Sequence, residues 1–215
     1  MFHVEQSVIY KNVPRGTFEK TQKLYQRNQS KLQSYLDQLL WWNKRVNLVS
    51  RSTPKEEIRQ HIFHSLLLSQ FPQFKDSSLI VDAGSGGGLP GIPLSIVTSQ
   101  KHFIINDIVS KKMIAVQQIC KKLQLRNVEI NKKSIENFDS SSPFLLISKH
   151  AFKINGLLEM VKDKPWTEII LYKGLPFPDE LNSLPIDITI TVHKLDSGTE
   201  DSFYKNKAIL SISKN

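Results

Sequence analysis

The chain has 215 residues, 40% of them hydrophobic. That is enough to bury one full core with a small appendage, and it predicts one compact unit with residues 1–69 as an N-terminal extension and 70–215 as the core. No run approaches the roughly 18 consecutive apolar residues of a membrane span, and the first sixteen residues lack the apolar stretch of a secretion signal. The single Cys120 excludes an internal disulfide, so a cytoplasmic monomer without membrane contact is expected. Lysine and arginine number 29 against 20 acids, a net charge of +9. Such an excess suits a polyanionic partner, nucleic acid first, and suits plain solubility equally well.

Residues 1–16 show no periodicity and read as a flexible arm. From Thr17 to about Trp42, Leu32, Tyr35, Leu36, Leu39 and Leu40 recur at the spacing of one helical face. No strand precedes this helix, so it is expected on the outside of a later sheet. The segment WWNKRVNLV, Trp41 to Val49, mixes aromatics, bases and amides. It suits stacking on RNA, although two adjacent tryptophans are more often one in the core and one partly exposed. Thr53, Pro54 and Glu56 read as a capping box opening a helix to about Ser69. His61 and His64 stand one turn apart on it, but no third ligand follows at a suitable spacing and no metal site is expected.

The next stretch organises the rest: LIVDAGSGGGLPGIP, Leu79 to Pro93. A short buried strand runs into a loop carrying Gly84, Gly86, Gly87, Gly88 and Gly91, more glycine than one tight turn needs, so a ligand is expected against it. Gly86, Gly88 and Gly91 satisfy G-x-G-x-x-G, the turn that seats a dinucleotide pyrophosphate on a helix N-terminus. Asp82, however, stands two residues before the first glycine, where it repels a diphosphate and favours a cation. The D-x-G-x-G-x-G arrangement of Asp82, Gly84, Gly86 and Gly88 therefore suits S-adenosylmethionine, whose sulfonium and amino group carry positive charge. HFIIN, His102 to Asn106, reads as the next strand, ending at Asp107. A carboxylate there can accept the ribose hydroxyls of either adenosine cofactor, or cap the helix that begins near Ser110.

A short helix is predicted over Ile92 to Val97 and a longer one over Ser110 to Leu123. The latter opens with Lys111 and Lys112, two cations that oppose its dipole and read as functional or as solvated charge. Strands follow at Val128 to Asn131, Phe144 to Ile147 and Glu168 to Tyr172, with a helix at about Ala151 to Val161. Ile186 to Leu195 and Ala208 to Ser213 close the chain as an antiparallel hairpin. This plan resembles the class I methyltransferases: a Rossmann-like α/β fold with a mostly parallel seven-stranded sheet, a C-terminal hairpin and an N-terminal helical extension.

Within that plan the residues resemble the RsmG, or GidB, family, which methylates N7 of a guanine in the bacterial 16S ribosomal RNA of the small ribosomal subunit. The resemblance runs from about Tyr35 to Gly174. It rests on DAGSGGGLPGIP (Asp82 to Pro93), on WNKRVNL (Trp42 to Leu48), on Gln60-His61 with Ser65-Leu66, on Asp107 with Lys111-Lys112, and on LRNV (Leu125 to Val128). It implies S-adenosylmethionine contacts at Gly84, Leu89, Ile135, Glu136 and Lys149. Lys149 stands where the family usually has arginine, His64 where it commonly has aspartate, and Ser134 where an arginine is usual.

Guanine N7 carries an unprotonated in-plane lone pair, so attack on a sulfonium methyl requires no proton removal. Alignment alone suffices. No nucleophile, general base or other catalytic residue is therefore expected. Asp82, Glu136 and the loop backbone are expected to orient the cofactor, and Lys44, Arg45, Lys111, Lys112 and Lys149 to meet RNA phosphates. Two rivals remain: an NAD-dependent oxidoreductase, and a non-catalytic RNA-binding protein on the same fold.

Overall fold

The computed structural model describes residues 6–14, 16–182, 184, 186–196 and 201–215. Eight strands lie among them: β1 (Gln6–Asn12), β2 (Leu79–Ala83), β3 (His102–Asn106), β4 (Val128–Asn131), β5 (Phe144–Lys149), β6 (Trp166–Gly174), β7 (Ile188–Lys194) and β8 (Lys207–Lys214). They form one sheet in the order β1-β7-β8-β6-β5-β2-β3-β4. The block β6-β5-β2-β3-β4 is parallel throughout. β8 enters antiparallel between β6 and β7, the closing hairpin.

The eighth strand corrects the expected count of seven. Residues 6–12 are not an unstructured arm but pair parallel with β7, from Gln6 opposite Ile188 to Asn12 opposite Lys194. The sequence concealed this because Ser7 to Asn12 are exposed along their length, so no buried face imposes alternation. Met1 to Glu5 and Arg15, also part of the expected arm, lie outside the described residues.

The helices are α1 (Thr17–Arg27), α2 (Gln29–Asn43), α3 (Lys55–Leu66), α4 (Pro72–Asp76), α5 (Gly91–Val97), α6 (Ser110–Lys122) and α7 (Ile154–Val161). The single helix expected from Thr17 to Trp42 is two. It breaks at Asn28, which leaves helical geometry at φ −113°, ψ 12°, and whose side-chain amide donates to Leu24 O at 2.9 Å. Asparagine competes with the backbone in this way, which is why it interrupts helices. The expected capping box does not form either. Pro54 occupies the N-cap of α3 without a side-chain bond, and Glu56 pairs with Arg59 at 2.7 Å instead.

Side chains alternate across each strand, so the sheet carries two cores. Ile80, Phe103, Ile105, Leu145, Ile147, Ile170, Tyr172 and Ile209 face one side, where α2, α3, α5 and α6 contribute Leu32, Tyr35, Leu39, Ile58, Ile62, Ile92, Met113 and Val116. Val81, Ile104, Leu146, Ile169, Leu171, Ile190 and Leu210 face the other, covered by Leu157 and Leu158 of α7. The N-terminal helices thus share a core with the sheet.

Candidate functional site

Because β2, β3, β4 and β5 are parallel, their C-terminal ends lie along one edge, where open α/β sheets present ligand-binding loops. The structure brings there the turn after β2, Asp107 after β3, Ile135 and Glu136 after β4, and Lys149 at the end of β5. Cross-strand bonds fix these ends together. Ser85 N donates to Asn106 O (3.0 Å), Asn106 Nδ2 to Asn131 Oδ1 (3.1 Å) and Lys133 O (2.8 Å), and Ser148 Oγ to Ala83 O (2.8 Å).

Asp82 has no exposed surface. Its Oδ2 accepts from Ser85 Oγ at 2.5 Å and from Gly91 N at 2.8 Å, tying both ends of the turn to the strand. Its Oδ1 has no hydrogen-bond partner. Burial raises this carboxyl to about 7, against the opposing pull of the Ser85 and Gly91 bonds. Asp82 offers no surface to touch and instead holds the shape of the turn.

Asp107 is also nearly enclosed. Oδ2 accepts from Gly86 N (2.9 Å) and Oδ1 from Val109 N (2.8 Å), so it caps the turn before α6 and fastens the glycine loop at once. Each oxygen keeps a lone pair for a further donor.

The turn's N–H groups bear on what the loop can hold. Those of Ser85, Gly86, Gly88, Leu89, Gly91 and Ile92 all donate within the protein, to Asn106 O, Asp107 Oδ2, Ser85 O, Ser85 O, Asp82 Oδ2 and Gly88 O. A pyrophosphate needs such donors free at the helix N-terminus. Here they are occupied, and α5 begins without an anion seat.

The glycines answer mainly to protein. A Cβ on Gly84 (φ +66°) would lie 2.6 Å from Ala151 Cβ, one on Gly87 2.7 Å from Leu39 Cδ1, and one on Gly91 2.4 Å from Ile105 Cδ1. Gly87 and Gly88 are buried, whereas Gly84, Gly86 and Leu89 keep exposed surface. Those three form the open face of the turn.

Of the pair after β4, Ile135 is buried in the second core and Glu136 is exposed. A surface depression of about 1080 Å³ is lined by Phe138, Ser141, Glu159 and Lys164 among others, and of the candidate residues only Glu136 reaches it. Lys149 turns toward α3, where its Nζ lies 2.7 Å from His61 Nδ1. Burial and the nearby Lys207 lower its ammonium to about 7.

Lys44 and Arg45 are exposed just past α2, and the segment they open abuts the turn: Leu48 Cβ lies 3.2 Å from a Cβ placed on Gly87. Arg45 stacks 3.8 Å over the ring of Trp41, which is 46% exposed, while Trp42 packs on the first core. Asn43 is buried. Its Oδ1 accepts from Leu48 N (2.8 Å) and Val49 N (3.0 Å), so this amide shapes the loop and does not face solvent. Lys111 and Lys112 lie in the first turn of α6, beside Asp107.

Sequence reasoning missed Tyr35 as a site residue. Its hydroxyl donates to Gly87 O at 2.9 Å from within the first core. Only a polar tip on an otherwise apolar helical face marked it. It also missed Ser85 and Ser148, for which no local pattern exists. Among the described residues, no group of three or more His, Cys, Asp or Glu is placed to hold a metal ion, and no helix is long and apolar enough to cross a membrane.

A parallel α/β sheet closed by an inserted antiparallel hairpin, with an acid-anchored glycine turn after β2 and an acid after β3, defines the class I methyltransferase fold. The apo crystal structure of the S-adenosylmethionine-dependent methyltransferase SibL shares it, with a TM-score of 0.53 at 12% identity over 74% of this chain and 57% of that one. A model of the family described as rRNA small subunit methyltransferase G (GidB) matches residues 28–203, and the chain belongs to that family. The ribosomal RNA small subunit methyltransferase G of Enterobacter sp. (strain 638) is 37% identical over 164 residues, 75% of this chain and 77% of the relative. That of Flavobacterium psychrophilum is 28% identical over 209 residues, 94% of this chain and 91% of the relative.

Proposed function

We propose that this protein transfers a methyl group from S-adenosylmethionine to N7 of a guanine in the 16S ribosomal RNA of the small ribosomal subunit. The observation that carries the cofactor half is the turn itself. Six of its N–H groups, from Ser85 to Ile92, are internally bonded, its anchor is an enclosed acid, and its open face is made of Gly84, Gly86 and the apolar Leu89, which suits a cationic adenosine ligand and not a diphosphate. Family membership supports the RNA half, as do the exposed Lys44, Arg45 and Lys111 on segments flanking the turn.

When bound, S-adenosylmethionine supplies an electrophilic methyl on a sulfonium. Gly84, Gly86 and Leu89 offer the surface on which it would lie. Asp107 keeps lone pairs for ribose hydroxyls, the exposed Ile108 beside it gives an apolar face, and Ile135 and Glu136 follow β4 at the same edge of the sheet. Asp82 supplies negative field from beneath. Lys44, Arg45, Lys111 and Lys112 would fix RNA phosphates, and Lys149, at the end of β5, would meet the cofactor or a phosphate. Since N7 carries no proton, none of these groups needs to act as a base, and alignment provides the rate.

The test is transfer of tritium from labelled S-adenosylmethionine to small ribosomal subunits, with the product mapped as 7-methylguanine in 16S RNA from cells with and without the protein. Subunits that bind the protein yet acquire no label would leave an RNA-binding protein on this fold, and calorimetric binding of NADH in place of S-adenosylmethionine would restore the oxidoreductase.

A further inference from the structure

The glycine turn has several backbone shapes open to it and is held in one. Gly86, Gly87 and Gly88 follow one another, and Gly86 and Gly88 stand in the left-handed region at φ +58° and φ +97°. Glycine enters and leaves that region at little cost, so the peptides of such a run can turn over unless something bonds them. The Gly87–Gly88 peptide is bonded at both ends. Its N–H donates to Ser85 O at 2.9 Å, within the turn, while its carbonyl accepts from Tyr35 Oη at 2.9 Å, from α2 and 52 residues earlier in the chain.

The second bond comes from a helix packed tightly against the turn. Tyr35 and Leu39 lie one helical turn apart on the same face of α2, and a Cβ placed on Gly88 would lie 3.4 Å from Tyr35 Oη, one on Gly87 2.7 Å from Leu39 Cδ1. Tyr35 is fully enclosed. Burial, together with the charge of Asp82, holds its hydroxyl well above the ordinary phenol range, so it keeps its proton and remains a donor. Gly87 is buried as well, so its carbonyl cannot exchange this partner for solvent without cost. On either side of the bonded peptide, Gly86 and Leu89 keep exposed surface. They belong to the open face on which the cofactor would lie, and the pose of the peptide between them sets their spacing.

We propose that Tyr35 is a positioning residue for methyl transfer: without touching a ligand, its hydroxyl selects the turn conformation that accepts the cofactor. The identity of the ligand rests on the methyltransferase reading, whereas the clamp itself does not. Removing the hydroxyl lets the turn spread over the conformations that glycine leaves open, and the affinity falls by the fraction of molecules left in the competent one. Bound cofactor selects that conformation again, so the reaction at saturation is spared.

Tyr172→Phe is the matched control. Tyr172 is equally enclosed in the same core and also donates to a backbone carbonyl, Ser65 O at 2.6 Å, but that carbonyl belongs to α3. Calorimetry of the full chain should show Tyr35→Phe binding S-adenosylmethionine about tenfold more weakly than the wild type and Tyr172→Phe within about twofold of it, with similar falls in melting temperature. With small ribosomal subunits as substrate, Tyr35→Phe should raise the KM for the cofactor by the same factor and leave kcat and the KM for the subunit within about twofold. A readout without ligand accompanies these. Nine glycines make the spectrum of isotopically labelled glycine tractable, and the Gly88 amide should exchange its hydrogen faster in Tyr35→Phe alone. Equal cofactor affinity in Tyr35→Phe and the wild type, an equal loss in both variants, or a fall in kcat at saturating cofactor overturns the proposal. A wild type that binds no S-adenosylmethionine, with Gly88 exchange still faster in Tyr35→Phe alone, overturns the methyltransferase reading and leaves the clamp standing.

Discussion

Two neighbouring turns, one after β2 and one after β5, solve the same problem with opposite charges. Each ends a parallel strand, and Ser148 Oγ bonds Ala83 O at 2.8 Å where they meet. The first is anchored by an acid, Asp82, whose partners Ser85 and Gly91 lie within nine residues of it. The second carries a base, Lys149, whose partner His61 is 88 residues away on α3. The acid is sealed inside its own loop, whereas the base holds a separate layer of the molecule to the sheet edge. A locally closed turn can be rigid before any ligand arrives. A turn tied across the fold responds to what the N-terminal helices do.

The largest expected effect breaks the first turn. Asp82→Ala strands the Ser85 hydroxyl and the Gly91 N–H, at a cost of about 3 kcal/mol in urea unfolding, and should lower S-adenosylmethionine affinity at least about tenfold by calorimetry. Asp82→Asn keeps an acceptor and separates architecture from charge. In the wild type the folded carboxyl titrates near 7, above the unfolded value. Between about pH 4 and pH 7 the native state therefore holds a proton that the unfolded chain has lost, so this group's contribution to stability falls as pH rises. Asp82→Asn should lack that slope. If it binds the cofactor as the wild type does, the turn's shape carries the affinity and the field of Asp82 does not.

Next in size is Gly91→Ala. Its Cβ would meet Ile105 Cδ1 at 2.4 Å and Asp82 Oδ2 at 2.7 Å, and the strain should cost about 1–3 kcal/mol. Gly156 in α7 has nothing within 4 Å, so Gly156→Ala should stabilise by up to about 1 kcal/mol and serve as the control. A similar gain at both positions would mean that the unfolded chain alone decides the outcome and that the contacts at Gly91 give way without cost.

The same contrast explains what the sequence disclosed. The first turn was legible because its acid, glycines and following helix are contiguous, and strands β2, β3 and β5 were legible because burial on both faces leaves continuous apolar runs. The occupation of the turn's N–H groups was not, since it depends on Asn106 and Asp107 arriving from β3. β1 escaped because an exposed edge strand has no hydrophobic period. The burial of Asn43 left no mark because nothing local distinguishes a buried cap from a surface amide, and the Lys149–His61 pair required the packing of α3 on the sheet.

Lys149→Met tests the second turn, with the opposite pH sense. A lysine held near 7 in the fold but near its ordinary value when unfolded makes the unfolded chain the better proton binder from about pH 7 to pH 10, so stability rises with pH there. Replacing it should stabilise the protein by about 2 kcal/mol at pH 6, a figure reduced for the water that reaches this partly exposed amine. The gain should fade toward pH 10. An equal gain at both ends would mean that methionine packs better and that the charge was never costly.

The smallest effect in stability is the sharpest for RNA. Lys111 is exposed on the first turn of α6, where its cation opposes the helix dipole, so Lys111→Gln should change unfolding by less than about 0.5 kcal/mol. If the lysine meets a phosphate, it releases a counterion on binding. The slope of log affinity for small-subunit RNA against log salt should then flatten by about one unit, with the cofactor affinity unchanged. An unaltered slope would make Lys111 solvated charge and move the RNA surface toward Lys44 and Arg45, on the segment tied to the first turn through Leu48.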